Sequence, residues 1–420
     1  MLTMHTVSIA QSVKKSNATI SHKSIQMEAD RIFKKLVALR RNFHQHPELA
    51  GHEARTQKII KDYLINLGLE VDTSSYGYGL IGILRGGKKG NDIAWRADMD
   101  ALAQDFPDDP AFPSLNKGVR HGCGHDIHLA VALGIAEVLS KNKASLPGTV
   151  YFLFQPEEET FLGAKAMVNE DPFNTITPAE IYGLHVTALP VGQIMVKSNE
   201  LFAYQKRVRI KLKNELSTDQ IKILSNAIHN ALARSRENSK PWDLSLIGDV
   251  QLGLANPNTI YKDYLIMDNL SANTKNHVLA LEGYLYETDS AKIKSIIPTI
   301  EEVIKQSGYK DQLISVSFSQ SNPTVLNDDK LTATAASILT KIYGKDIVMP
   351  DYGQVPYFND DFAYFQQKMP GTYFFLGGSN AAKGIVAMNH TPNFAVDEEC
   401  IRTGVKCFSS LIWERLRHAY

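Results

Sequence analysis

The densest group of chemically active side chains is the run RHGCGHD at residues 120–126, which combines a thiol, two imidazoles and a carboxylate. Cys123 and His125 are two residues apart and are flanked by glycines, so both side chains can turn toward one point. Thiolate and imidazole are ligands that suit a divalent transition metal. Since two side chains cannot hold a catalytic metal, further ligands must come from other parts of the chain.

Four short apolar runs can position such ligands, because polar or charged residues follow each of them. The runs cover residues 93–97, 149–154, 179–184 and 372–376 and have the character of buried strands. Helical segments between them indicate an α/β fold, in which ligands bind beyond the carboxyl ends of the strands. We therefore expect the residues that follow these runs to be neighbours in space: Asp98, Glu157, Glu158, Glu159, His185 and His390.

Each of these residues also has an ordinary structural explanation. Three successive glutamates usually form a solvated loop, whereas a metal hydrolase needs one carboxylate as a ligand and another as a base for water. Asp98 could cap a turn or pair with a cation, or it could orient a metal-binding imidazole from behind. His185 or His390 alone would be a hydrogen-bonded core residue. Their shared position after strands, together with Cys123 and His125, favours the metal site.

Other motifs are weaker candidates. His44 and His46 do not face each other on a helix, so we expect them to end that helix and pack. His121 and His128 either line the site or hold the start of the helix that begins nearby. The pattern GYGLIG at residues 77–82 resembles a dinucleotide-binding loop, but a strand rather than a helix is expected there, so we interpret it as a turn.

The composition limits the class of protein. The chain has 420 residues, of which 44% are hydrophobic and 21% are charged, so it is long enough for two globular domains. The 45 basic and 45 acidic residues balance, which leaves no electrostatic basis for binding nucleic acid or an anionic membrane. The 3 cysteines are too few for a disulfide framework, and no apolar run reaches membrane-spanning length, so we expect a cytoplasmic protein.

The pattern of elements divides the chain into three parts. Residues 1–24 are mixed polar and are expected to form a loose extension rather than a signal peptide. Residues 25–204 and 316–420 are expected to form the α/β domain. Residues 205–315 are expected to form an inserted α+β open-faced sandwich, because their strands have one polar face. In this insertion strands are expected near 208–212, 244–247, 264–270, 278–286 and 313–318, and helices at 219–234 and 290–306.

An ordered set of motifs resembles one family of enzymes. The motifs are HQHPEL at 44–49, RADMDAL at 96–102, GCGHD at 122–126, FQP at 154–156 with GAKA at 163–166, GLHV at 183–186, DFAYF at 361–365 and NHTP at 389–392. Together they are similar to the di-metal peptidases of the aminoacylase and carboxypeptidase superfamily. The resemblance is to its amidohydrolase branch, which includes N-acyl-amino-acid amidohydrolases, hippurate hydrolases and auxin-conjugate hydrolases.

This resemblance implies a role for each candidate residue. It implies two divalent metal ions per subunit, of Zn, Mn, Co or Ni, held by Cys123, His125, Glu159, His185 and His390. Glu158 then corresponds to the general base, with Asp98 and Asp126 supporting the ligands from behind. The implied fold is a di-metal aminopeptidase-like catalytic α/β domain with an inserted lid, through which such proteins commonly form homodimers. The implied partner is a small-molecule amide substrate.

The lid departs from this family pattern. Relatives usually carry a histidine after the first lid strand that helps to polarise the substrate carbonyl, but residues 211–217 of this chain are KLKNELS. A second lid motif, usually His-Asn, corresponds to Ala272 and Asn273, which leaves Asn273 as the possible substrate-binding residue. His229 or His277 could compensate for the missing histidine. The acidic loop QDFPDDP at residues 104–110 could reshape the entrance.

Two functions of different class are consistent with this sequence. The first is a metal-dependent amidohydrolase that cleaves the amide bond of N-acyl amino acids or small peptide-like substrates, with Glu158 as general base. The second is a degenerate homologue that binds metal or ligand with little or no turnover. The full ligand set and the retained base favour the first, because a base has no purpose in a pure binding protein.

Overall fold

The computed structural model describes residues 21–109, 111–169, 175–213 and 215–418. The helices of this part of the chain are α1 His22–Gln45, α2 Ala54–Asn66, α3 His125–Ser140, α4 Gly163–Met167, α5 Thr218–Leu232, α6 Ser290–Gln306, α7 Asp329–Tyr343, α8 Ala363–Gln366 and α9 Glu399–Arg417. Short 3-10 turns cover Leu244–Leu246, Lys310–Gln312 and Ala381–Lys383. None of the described helices is both long and apolar enough to cross a membrane.

The strands of the described residues form three sheets. In chain order the strands are β1 Glu70–Asp72, β2 Leu80–Arg85, β3 Lys88–Asp98, β4 Pro147–Gln155, β5 Glu180–Pro190, β6 Ile194–Val196, β7 Asn199–Glu200, β8 Tyr204–Lys213, β9 Leu265–Met267, β10 Ser271–Lys275, β11 Val278–Glu287, β12 Leu313–Gln320, β13 Leu326–Asn327, β14 Val348–Pro350 and β15 Gly371–Ser379. The larger sheet has the order β1-β2-β4-β3-β5-β15-β6-β14. The smaller sheet has the order β10-β11-β8-β12, with β9 also paired to β11, and β13 pairs with β7 separately.

The centre of the larger sheet is parallel and is buried on both faces. Strand β3 pairs in parallel with β4 and β5, and β15 pairs in parallel with β5. Along β3, Ile93 and Trp95 pack into one core with α1, α3 and α9, whereas Ala94 between them packs into a second core on the opposite face. Burial on both faces explains why these strands are continuous apolar runs rather than alternating ones. The α/β class expected from the sequence is confirmed.

Helix α3 lies in the first core and begins at the chemically active run. Its residues from His125 to Leu139 are all buried, as expected for a helix that is apolar on every side. Gly124 precedes it with a φ of 93°, and a Cβ atom at this position would lie 2.4 Å from Cγ1 of Val186. The sequence needs glycine here because the backbone is left-handed and passes directly against β5.

The smaller sheet is covered on one face by α5 and α6. Val208 and Ile210 of β8 point into the core that these helices share, whereas Arg209 and Lys211 point outward. This alternation is typical of a sheet that has one solvated face. The inserted open-faced sandwich of the expected fold class is therefore present.

Some expected elements differ from the structure. Residues 244–247 were expected as a strand, but Leu244–Leu246 form a 3-10 turn, because the side chain of Asp243 accepts a hydrogen bond from the Ser245 amide and stabilises the turn. Strand β10 was not expected, because its exposed residues lack an apolar alternation. Of the extension expected over residues 1–24, residues 1–20 lie outside the described part. Helix α1 already begins at His22, where Ser21 and Ser24 form a capping box.

The segment that connects α5 to β9, residues 233–264, does not pack with the smaller sheet alone. Its side chains Ile247, Leu254, Tyr261 and Tyr264 belong to the second core of the larger sheet. These four side chains lie within residues 205–315, the expected lid, but they pack against the larger sheet. We call residues 233–264 the connecting segment.

Candidate metal centre

One end of the larger sheet gathers the candidate residues. Strands β3, β4 and β5 are parallel, so their carboxyl ends lie along the same edge. The start of α3, the loop after β4, the interior of β5 and the loop after β15 all reach this edge. They carry, in chain order, Cys123, His125, Glu158, Glu159, His185 and His390. His185 lies within β5 rather than after it.

The five residues expected as metal ligands form one continuous cluster of donor atoms. The Cys123 Sγ lies 3.3 Å from Nε2 of His185 and 3.1 Å from Nε2 of His390. The Glu159 Oε1 lies 3.4 Å from the same nitrogen of His390 and 3.8 Å from Nε2 of His125. The cluster divides into two overlapping groups, each compact enough for one ion: Cys123, His125 and His185, and Cys123, Glu159 and His390.

Hydrogen bonds orient two of the imidazoles toward the cluster. Nδ1 of His125 donates to the Asp100 carbonyl at 2.8 Å, and Nδ1 of His185 donates to the Val186 carbonyl at 2.8 Å. Both rings are therefore held as tautomers whose Nε2 carries a lone pair and points to the other donors. Outer hydrogen bonds of this kind are usual behind metal-binding histidines.

Two buried atoms of the cluster make no hydrogen bond within the described residues. Nε2 of His125 and Oε1 of Glu159 are buried and accept or donate no hydrogen bond within the described residues. Buried polar atoms normally have a partner, and an ion is one of the explanations for an exception. One thiol, three imidazoles and a carboxylate also match the preferences of borderline divalent metals. The residues present thus fit a metal centre.

Glu158 stands beside the cluster but faces different neighbours from Glu159. Its Oε2 lies 3.7 Å from Nε2 of His125, and it also lies close to the carboxylates of Asp360 and Asp361. Burial, followed by the charges of Asp360 and Glu159, raises the pKa of Glu158 well above the usual value for a glutamate. A carboxylate in such surroundings accepts a proton readily, which is the property of a general base.

A cavity opens directly above these residues. Its volume is about 100 Å³, and Cys123, Glu158, Glu159, His185 and His390 all line it. Candidate ligands, base and an open cavity therefore coincide.

The sequence and the fold are similar to those of known proteins. Residues 94–414 match the family described as Peptidase family M20/M25/M40. The chain belongs to this family. The match confirms the resemblance that the motifs carry, and it makes the protein an M20 hydrolase, a member of a metal-dependent class.

Individual M20 relatives align along almost the whole chain. Thermostable carboxypeptidase 1 of Saccharolobus solfataricus is 32% identical over 388 residues, which are 88% of this chain and 92% of that protein. N-acetylcysteine deacetylase of Bacillus subtilis is 29% identical over 401 residues, which are 91% of this chain and 97% of that protein. The crystal structure of the Bacillus subtilis YXEP protein, described as a dinuclear metal binding peptidase from the M20 family, superposes with a TM-score of 0.74 at 26% identity. That match covers 92% of this chain and 99% of the YXEP chain.

Asp98 supports the M20 site through a histidine outside the expected ligand set. Its Oδ1 accepts a hydrogen bond from Nδ1 of His128 at 2.6 Å but lies 3.9 Å from Nδ1 of His125, beyond hydrogen-bond distance. Nε2 of His128 in turn accepts from the Val186 amide at 3.0 Å. Asp98 and His128 thus tie the end of β3 to β5, and Asp98 contacts no candidate ligand by a hydrogen bond.

A buried arginine, Arg96, pairs with Asp98 and with two further aspartates. Arg96 donates to Asp98 at 2.5 Å, to Asp361 at 3.0 Å and to Gln155 at 2.7 Å. Its guanidinium also lies 3.1 Å from Asp360, and all of these groups are buried. Because a buried cation needs paired anions, this network fixes the two aspartates that face Glu158.

Asp126, expected to support a ligand, bonds to helix α1 and makes no hydrogen bond to a candidate ligand within the described residues. Its Oδ2 accepts hydrogen bonds from Nδ1 of His44 at 2.8 Å and pairs with Nε of Arg40 at 2.8 Å. Nε2 of His44 bonds to Asp108 at 2.8 Å, so the acidic loop is tied to α1. His46 caps the end of α1, as expected for a packing residue. Asp126 therefore anchors the start of α3 rather than a ligand.

The lid residues singled out from the sequence do not line the cavity. Asn273 lies on the exposed strand β10 at the edge of the smaller sheet, beside a separate surface pocket. Neither His229 nor His277 is among the residues that line the cavity of the metal centre. Within one chain, the described residues thus bring no lid histidine to the substrate space.

Sequence reasoning missed several residues that shape the site. Asn389 donates to the Cys123 carbonyl at 2.8 Å and to the Val186 carbonyl at 3.1 Å, which fixes the loop that carries His390. Its place in the NHTP motif was a usable signal. The cavity walls supplied by Ile247 and Leu254 carried no such signal, because isolated apolar residues in an irregular segment look like ordinary core.

Proposed function

We propose that this M20 protein is a metal-dependent amidohydrolase that cleaves the amide bond of N-acyl amino acids or small peptide-like substrates. The observation that carries the proposal is the convergence of five candidate metal ligands with the buried carboxylate of Glu158 in one cavity. The names of two relatives, a deacetylase and a carboxypeptidase, refer to reactions that break a carbon–nitrogen amide bond. Their similarity supports this reaction class.

The residues that would hold two divalent ions are those expected from the sequence: Cys123, His125, Glu159, His185 and His390. Zn, Mn, Co and Ni all suit this mixture of sulfur, nitrogen and oxygen donors. When bound, such ions supply Lewis acidity, which makes water more acidic and polarises a carbonyl.

Glu158 would handle the proton of the reaction. As a carboxylate it accepts a proton from the attacking water, and as a carboxylic acid it returns that proton to the leaving nitrogen. Its burial next to Asp360 and Asp361 favours the protonated form during the interval between these two steps. The network around Arg96 keeps those two aspartates in place.

We also propose that two copies pair through the lid to form a homodimer. Strand β10 is an edge of the smaller sheet and is exposed along its whole length, and exposed edge strands commonly pair with a strand of another chain. In such a dimer Asn273 of one copy could approach the cavity of the other, which it does not do within its own chain. Substrate binding by Asn273 depends on this arrangement.

Amine release from a panel of N-acyl amino acids tests the proposed reaction. The protein is assayed with Mn, Zn, Co or Ni added separately, and bound metal is measured in the same samples. We expect turnover with at least one metal and one substrate. Bound metal with no amine release across the panel would contradict the proposal and would favour the second hypothesis, a homologue that binds metal without turnover.

A further inference from the structure

The connecting segment is fastened to the catalytic side of the molecule. The Tyr352 amide donates to the Leu254 carbonyl at 2.9 Å, and the Gln354 amide donates to the Tyr261 carbonyl at 2.8 Å. The Tyr264 hydroxyl donates to the Gln354 carbonyl at 2.6 Å. These bonds hold a segment that lies between lid elements in sequence against residues 352–355, next to the larger sheet.

A close approach to β5 positions one apolar side chain of this segment. A Cβ atom at Gly248 would lie 2.7 Å from the Ala188 carbonyl oxygen, so the backbone here fits against β5 because residue 248 is glycine. Ile247, the residue before it, is 2% exposed and lines the cavity together with Thr187 of β5. The strand that carries His185 therefore also supports the wall made by Ile247.

The cavity has a chemically active end and an apolar end. The active end is formed by the candidate metal ligands and Glu158. We define the apolar end as the lining side chains that belong to the second core: Phe202, Ile247, Leu254, Val355 and Phe375. No lysine or arginine is among the lining residues of the described chain, and the only lining carboxylates are Glu158 and Glu159. A charged group of the substrate would lose its hydration at the apolar end without gaining a partner.

We propose that Ile247 and Leu254 of the connecting segment determine specificity by forming the wall of a pocket for an uncharged, apolar acyl group. This inference rests on the proposed function: an N-acyl amino acid carries its carboxylate on the amine side, and the apolar end offers no cation for it. The acyl side therefore occupies the apolar end, and the carboxylate points toward the opening. Substrates with short aliphatic or aryl acyl groups fit this pocket, and substrates with an anionic acyl group do not.

A series of acyl groups on one amino acid measures this preference. The substrates are N-acetyl-, N-butyryl-, N-hexanoyl-, N-octanoyl- and N-succinyl-alanine, assayed with each added metal. For the wild-type protein we expect kcat/KM to rise about fourfold for each methylene until the pocket is filled. N-succinyl-alanine should be the poorest of the longer substrates. A flat profile, or a preference for the succinyl group, would overturn the inference.

Two substitutions of opposite size separate specificity from simple structural support. Ile247→Ala enlarges the pocket and should shift the best substrate toward longer acyl groups, whereas Ile247→Phe fills it and should shift the best substrate toward acetyl. The control is Val250→Ala, an apolar residue of the same segment that is 85% exposed, which should leave the profile unchanged. If both Ile247 variants lower kcat/KM equally for all substrates, the residue is structural and the inference fails.

A binding measurement keeps the inference testable if turnover is absent. Calorimetry on the Glu158→Gln variant should show tighter binding of N-hexanoyl-alanine than of N-acetyl-alanine, with a negative heat-capacity change from apolar burial. The same difference should shrink when Ile247→Phe is added. Equal binding of the two compounds would overturn the inference. Failure of the proposed function alone would instead appear as acyl-dependent binding without amine release.

Discussion

Glu158 and Glu159 show how adjacent residues of the same type acquire different roles. Glu159 Oε1 lies 3.4 Å from the His390 imidazole, and the Glu159 amide donates to Asp100 at 3.0 Å, so this residue is built into the donor cluster. Glu158 instead faces Asp360 and Asp361. The preceding residue, Glu157, has a left-handed φ of 54°, which turns the chain sharply after β4. The turn is what presents consecutive glutamates to different surroundings.

Cys123 is the donor shared by both compact groups, so its removal should affect the whole centre. We expect Cys123→Ala to lower both bound metal and kcat/KM by at least about 100-fold, since losing only an outer partner of a ligand costs about 10–100-fold. Metal analysis and amine release measure the two effects.

The matched control for this substitution is Cys407→Ala. Cys407 is 1% exposed and lies in α9 within the first core, away from the donor cluster. Its replacement should lower stability slightly and leave bound metal per folded protein unchanged. Equal metal content in the Cys123 and Cys407 variants would remove Cys123 from the ligand set.

At the scale of residues, the sequence indicated the candidate metal ligands but not which residues hydrogen-bond to them. Cys123, His185 and Glu159 could be proposed as donors from residue type and from their position beside glycines or apolar runs. The partner of Asp98 could not, because His125 and His128 are both close and only their geometry shows which one bonds to it. The partners of Asp126 could not be predicted either, because it bonds to His44 whereas its neighbour in sequence, His125, bonds to Asp100.

At the scale of elements, the strands that carry the site were predictable and the irregular ones were not. Strands β3, β4 and β15 have both faces buried, and this burial produces apolar runs visible in the sequence. Helix α6 was found at its observed bounds because its apolar residues recur at helical spacing. Strand β10 and the connecting segment depend on partners distant in sequence, so local patterns could not reveal them.

The exposed edge of β10 leads to a prediction about assembly. If β10 pairs with the same strand of a second copy, sedimentation should give a mass twice the 46.7 kDa of one chain at micromolar concentration. An exposed edge strand is a common place for two chains to pair. A monomer over the whole concentration range would contradict the proposed dimer and, with it, the role proposed for Asn273.

At the scale of the whole molecule, the two sheets are linked by more than the chain between them. The connecting segment leaves the smaller sheet after α5, contributes Tyr261 and Tyr264 to the second core of the larger sheet, and returns to β9. An ion pair between Arg234 and Glu287 ties its start to β11. This path explains how residues within the inserted part of the sequence come to line a cavity on the catalytic sheet. The inserted part of the chain therefore forms part of the wall of the site.

The measurement that tests the account most directly compares Glu158→Gln with the wild-type protein for both metal content and amine release. Glutamine keeps the size of the side chain but cannot accept the proton from water. We predict that bound metal stays at the wild-type level while kcat falls by about 10²–10⁴-fold, the usual contribution of a general base. A variant that keeps its metal and turns over substrate at near wild-type rate would contradict the assignment of Glu158 as the base of this site.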